Sequence, residues 1–221
     1  VFTLHFTQVK SPIASSSFSV NFLTNTARES ILNSLKYSLT PGLAQASQEQ
    51  DLERAQQLNR QITELYQSGR YGEAIPLVEQ LLTIREEVLG PEHVDTIASL
   101  NDLAWFYNSV SRYAEAASLW QRVLTFYRQV GDRAGEGAAL WNMGATYTDQ
   151  KLYDQALPNL QQAFVIFRDM GVLATQEAVA KAIHEVLAAI RQQGNPAEYQ
   201  GQCQATAEAM GVAVTQWCEG L

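Results

Sequence analysis

The residues Tyr71, Glu73 and Ala74 recur 42 positions on as Tyr113, Glu115 and Ala116, and 40 positions beyond that as Tyr153, Gln155 and Ala156. An internal period of this size marks one supersecondary unit that cannot bury its own apolar face and must stack on copies of itself. The chain is therefore expected to be a repeat array, an architecture suited to binding more than to catalysis.

Composition narrows the function classes. With 221 residues and 46% hydrophobic content, the chain has ample apolar material for a continuous core. The net charge of −8 and a pI near 4.9 argue against nucleic acid and anionic membrane surfaces, both of which need clustered Lys and Arg. No stretch approaches the roughly 20 apolar residues that span a bilayer, so membrane insertion is not expected. Cys203 and Cys218 match no paired zinc spacing and read as buried small hydrophobes, with a disulfide closing the C-terminal hairpin as the alternative.

Residues 1–50 lack the period and are rich in Ser, Thr and Asn. Phe2, Leu4 and Phe6 alternate as a short strand would, and Ile31, Leu32, Leu35 and Leu39 could line one helix face. The favoured reading is an irregular or flexible extension that ends at Pro41-Gly42. The chain starts at Val1, and Ala44-Gln45-Ala46 has the small-x-small form of a signal-peptidase site without an apolar run before it. A cytoplasmic location is expected, with export as the alternative if a signal segment precedes or overlaps the N-terminus.

From about Asp51 the pattern is helical. The first helix ends at Gly69, and the second runs from about Tyr71 to Leu89 and is closed by Gly90-Pro91. Asp95 is the expected N-cap of a third helix. A fourth spans roughly Tyr113 to Gln129 and stops at Gly131, where Asp132 can cap a fifth. A sixth covers about Tyr153 to Met170 before Gly171. The seventh, about Thr175 to Gln193, carries Val179, Ile183, Val186, Leu187 and Ile190 on one face and ends at Gly194. Asn195-Pro196 with Glu198 predicts the start of an eighth, reaching Met210.

The spacing of large and small residues resembles the tetratricopeptide repeat. The third copy fits best, with Leu140, Met143-Gly144, Tyr147, Ala156 and Leu160; the second reads Leu100, Leu103-Ala104, Tyr107, Ala116 and Trp120. The first is looser, with Leu58, Gln61-Ile62, Leu65, Ala74 and Val78. The run Arg85 to His93, followed by Ser99 to Ala104, resembles the kinesin light chain type of repeat, whereas Tyr127 to Glu136 is similar to a 40-residue bacterial variant. The resemblance covers residues 52–170 and implies an all-α fold, a right-handed α-solenoid of stacked antiparallel helix pairs. Small residues such as Ala104 and Gly144 would let paired helices approach closely, and the long period implies helices about one turn longer than the family's usual ones. Beyond residue 170 the pattern fades, and His184 falls where a small residue is needed. Helices seven and eight therefore read as a divergent capping pair, with Trp217 and Leu221 in a terminal turn packed against them. The resulting division is 1–50, a repeat array over 51–193, and a cap and tail over 194–221.

By the same resemblance, ligand contacts fall on the first helix of each pair. They are Asn59, Thr63, Tyr66 and Gln67 in the first copy, Asn101, Trp105, Asn108 and Ser109 in the second, and Trp141, Ala145, Thr148 and Asp149 in the third. Asn side chains offer donors and acceptors that match an extended backbone, and Trp and Tyr add flat apolar contact. The alternative for Trp105 and Trp141 is packing between neighbouring repeats, and Trp120 is read as core. The set lacks the Lys and Arg cluster with which family members clamp a C-terminal carboxylate.

No catalytic constellation is evident. His5, His93 and His184 are far apart and have no metal spacing, and Glu86-Glu87, Glu49 and Asp51 read as solvated helix charge. The expectation is a non-enzymatic scaffold, without cofactor or metal, that binds a protein or peptide in a concave groove. The alternative is a sensor or recruitment region of a larger bacterial signalling or protease-like protein.

Overall fold

The structure, a computed structural model, describes residues 43–192 and 196–218. These form α1 (Leu43–Gln67), α2 (Tyr71–Leu89), α3 (Val94–Ser109), α4 (Tyr113–Val130), α5 (Arg133–Asp149), α6 (Tyr153–Asp169), α7 (Leu173–Gln192), α8 (Pro196–Met210) and α9 (Val214–Cys218). The fold is an all-α solenoid of helix pairs. Residues 1–42, including the Pro41-Gly42 stop, together with Gly194, Asn195 and Leu221, lie outside the described residues. The first helix starts at Leu43, not near Asp51, so Ala44 to Ala46 lies inside it.

The turns carry the repeat in their backbone. Left-handed residues stand at Gly69, Gly90, Ser111, Gly131, Lys151 and Gly171, 20 or 21 positions apart, which halves the sequence period. Each ends one helix and turns the chain back against it, the conformation that glycine adopts without a Cβ clash. Ser111 and Lys151 adopt it with side chains, at φ 64° and 61°.

The described chain divides into two compact units, with the boundary inside α4 between Phe126 and Tyr127. In residues 43–126, α2 packs against both α1 and α3. The core includes Leu58 and Ile62 of α1, Val78 and Leu81 of α2, and Leu100 and Phe106 of α3, while Trp120 of α4 is buried as expected. Burying such side chains is worth about 1.5–3 kcal/mol each, which is what the apolar periodicity supplies. The α2–α3 turn is held by Thr96, whose hydroxyl donates to the Gly90 carbonyl at 2.8 Å. His93, not Asp95, is the N-cap of α3: its Nδ1 accepts from the Asp95 backbone N–H at 3.2 Å, and Asp95 sits in the first turn.

In residues 127–218, α6 packs on α5 and α7, and α8 packs on α6 and α7. Asp132 caps α5 as expected, accepting from the Gly135 N–H at 2.9 Å. Glycines make the close approaches: a Cβ on Gly135 would run into the Tyr127 ring, one on Gly144 would lie 2.6 Å from Leu160, and one on Gly137 would lie 2.9 Å from Ile166. Val179, Ile183, Val186, Leu187 and Ile190 form the buried face of α7. Gln161 donates to the Thr206 hydroxyl at 2.9 Å and Arg168 Nη1 to the Met210 carbonyl, tying α8 to α6. Cys203 and Cys218 are joined in a disulfide, which corrects the reading of two free buried thiols.

Candidate protein-binding face

Three aromatic rings from three helices meet within residues 43–126. Trp105 of α3 lies edge-on to Tyr66 of α1, with centroids 5.4 Å apart, and to Tyr71, the first residue of α2, at 5.0 Å. Tyr66 and Tyr71 are 5.9 Å apart. All three are half-buried, and the fully buried Phe106 contacts both Trp105 and Tyr71. The rings are thus locked by one another and by the core, so a ligand that meets them orders little side-chain freedom. Burial, with a smaller contribution from Tyr71, pushes the Tyr66 phenol above its usual range and keeps it neutral.

Asn101, Trp105 and Asn108 are spaced four and three along α3, which puts them on one face, and all three are half-buried. Ser109 donates its hydroxyl to the Trp105 carbonyl at 2.9 Å, and Thr63 donates to the Asn59 carbonyl at 2.7 Å, so both hydroxyls are satisfied within their own helices. Gln67 is exposed. Asn59 is only 6% exposed, and its buried Nδ2 finds no hydrogen-bond partner among the described residues. On the flanking turns Arg70 is paired with Glu73 at 2.5 Å and Arg112 with Glu115 at 2.9 Å; Arg112 also lies 4.2 Å over the Tyr107 ring.

In residues 127–218 the expected positions are placed differently. Trp141 is 4% exposed, with its ring 6.4 Å from Phe167. Ala145 and Thr148 are half-buried, the Thr148 hydroxyl donating to the Gly144 carbonyl at 2.8 Å, and Asp149 is exposed. Tyr71 is the member of the aromatic group that the groove spacing missed, because it lies on the second helix of its pair. Its recurrence as Tyr113 and Tyr153 was the available signal.

The strongest electrostatic perturbation lies between α2 and α3. Arg85 Nη1 donates to the Asp95 carbonyl at 3.0 Å and to Ser99 Oγ at 2.6 Å. Burial pushes the Asp102 carboxyl up to about 7, although Arg85 pulls the other way. At 7% exposure Asp102 is a core group, and its burial accounts for the shift. Among the described residues no group of three or more His, Cys, Asp or Glu is placed to hold a metal ion, and no helix is long and apolar enough to cross a membrane.

A family model described as tetratricopeptide repeat matches residues 65–129 and 106–169. Among solved structures, the chain is similar to crystallised TPR-like repeats, nearly identical to one another and assigned to a kinesin light chain of Podosopora anserina. The TM-score is 0.51 at 20% identity, covering 76% of this chain and 94% of that one. A variant of the same protein matches with a TM-score of 0.51 at 21% identity, covering 76% and 92%. At these identities the likeness is one of fold. A comparison with curated protein sequences gives no match.

Proposed function

The chain is a tetratricopeptide-repeat protein, and we propose that it is a non-enzymatic interaction scaffold that holds an extended peptide or a partner helix against the aromatic face of residues 43–126. The observation that carries this reading is the contact of Tyr66, Tyr71 and Trp105, three half-buried rings from three helices, beside Asn101 and Asn108. Rigid aromatic surface supplies most of the affinity in such faces, and amide side chains pair with a ligand backbone without requiring a particular sequence. The pairing of Arg70 and Arg112 with neighbouring glutamates argues against a carboxylate-clamp mode.

The test is a pull-down comparing the intact array with a variant carrying Asn101→Ala, Trp105→Ala and Asn108→Ala. A partner retained by the first and lost by the second, with the helical content of both unchanged, supports the assignment. Equal recovery counts against it. The disulfide favours the exported location over the cytoplasmic one, since such bonds persist in oxidising compartments. Intact mass after alkylation of the protein inside its own cells checks this, and two alkylated thiols would return it to the cytoplasm.

A further inference from the structure

The terminal helix α9 is five residues long, far below the roughly 12–15 at which an isolated helix becomes stable, so it must be held from outside. Four contacts hold it. The Cys203–Cys218 disulfide ties its last residue to α8, the Tyr199 hydroxyl of α8 donates to the Cys218 carbonyl at 3.5 Å, Trp217 lies over His184 of α7 with ring centroids 4.1 Å apart, and Trp217 also meets Phe164 of α6 edge-on at 6.1 Å. His184 is the residue that breaks the small-residue signature of the fourth copy, and the structure shows what stands on it. The misfit to the repeat is the seat of α9.

The closed arrangement is imperfect in one respect. His184 Nε2 and Trp217 Nε1 are both buried without a hydrogen-bond partner among the described residues, and lifting α9 would return both to water. The packing of α9 is therefore opposed by two unsatisfied polar atoms, while the covalent bond restricts its escape. By contrast α8 is anchored independently of α9, through Gln161 to Thr206 and Arg168 to the Met210 carbonyl. Between the two the chain turns at Gly211, in the left-handed conformation at φ 67°.

We propose that α9 is a redox-latched lid over the terminal repeat, closed by the Cys203–Cys218 disulfide and opened by a dithiol reductant. Cys218 is the more accessible half-cystine, since Cys203 is completely buried. A thiolate of the reductant attacks the Cys218 sulfur, the S–S bond breaks, and Cys203 leaves as a thiolate that takes up a proton. The second thiol of the reductant then resolves the mixed disulfide, releasing Cys218 as a thiol. Two electrons pass to the protein and the reductant leaves oxidised. Opening uncovers the His184 and Phe164 surface and frees Trp217, without disturbing the helices beneath.

The experiment is hydrogen exchange on the whole protein before and after treatment with dithiothreitol, with reduction verified by alkylated mass. Residues 211–218 are expected to exchange at least tenfold faster once reduced, with residues 153–192 unchanged. Tryptophan emission should shift to the red in the native sequence and not in Trp217→Phe. Unchanged exchange in 211–218 after complete reduction overturns the latch. Loss of protection across 153–192 as well overturns the lid, making the bond a staple of the whole cap. Air-purified protein that already carries two free thiols overturns both.

Discussion

Gly144 on α5 faces Leu160 on α6 so closely that a single added methyl group would lie 2.6 Å from two carbons of the leucine side chain. The corresponding position of the preceding repeat is Ala104, itself completely buried, so the second repeat accommodates the methyl group that the third does not. Gly144→Ala should therefore destabilise the chain by about 1–3 kcal/mol, despite the gain in helix propensity, because α6 has to shift. A urea unfolding curve checks this. A midpoint equal to or above that of the native sequence would show that the approach is looser than described.

Lys151 predicts the opposite sign. It holds a left-handed backbone, at φ 61°, where its repeat-related turn uses Gly69, and its side chain is exposed. Lys151→Gly should stabilise by about 0.5–1 kcal/mol, since relief of the Cβ clash outweighs the added freedom of the unfolded chain. Ser111→Gly should do the same to a smaller extent, because the Ser111 hydroxyl accepts from Tyr113 at 3.1 Å. Thermal melts of the two variants measure the effect, and lowered midpoints would contradict it.

Asp102 makes stability depend on pH. Its folded value, about 7, lies above the 3.8 of an exposed carboxyl, so the folded chain binds the proton more tightly than the unfolded chain. This contribution is fully present below about pH 4 and is lost as pH rises through 7, at a cost on the order of a few kcal/mol. Below the ordinary carboxylate range, Glu136 acts in the other direction, held low by Arg128 and Arg133 against a burial effect that raises it. Asp102→Asn should flatten the fall in stability between pH 5 and 8 and leave the acid limb intact. Denaturant midpoints across that range test it; a slope retained in the variant would place the titration elsewhere.

The repeat and most helix ends were legible because they depend on local chemistry: Gly69, Gly90, Gly131 and Gly171 end helices by taking the left-handed backbone, and Asp132 caps α5 through a bond within its own turn. Ser111 and Lys151 were not legible, because the left-handed state there is closed by backbone hydrogen bonds, from Arg112 N–H to the Tyr107 carbonyl at 2.8 Å and from Leu152 N–H to the Tyr147 carbonyl at 2.9 Å, on residue types that do not favour it. The first groove position shows the limit more sharply. Asn59, Asn101 and Trp141 are equivalent in the repeat, yet Asn59 and Trp141 are buried while Asn101 is half-buried. Periodicity tells which way a side chain points from its helix, whereas what covers it is decided by residues far away in the chain. The same holds for Cys203 and Cys218, whose spacing carries no information about pairing.

Site-directed photo-crosslinking shows whether the face around Tyr66, Tyr71 and Trp105 receives the partner. A photoreactive residue is placed at Asn101 in one variant and at the exposed Gln80 of α2 in another, and each is irradiated with the captured partner. A covalent adduct is expected from position 101 and none from position 80. An adduct from position 80 alone, or equal yields from both, would contradict it.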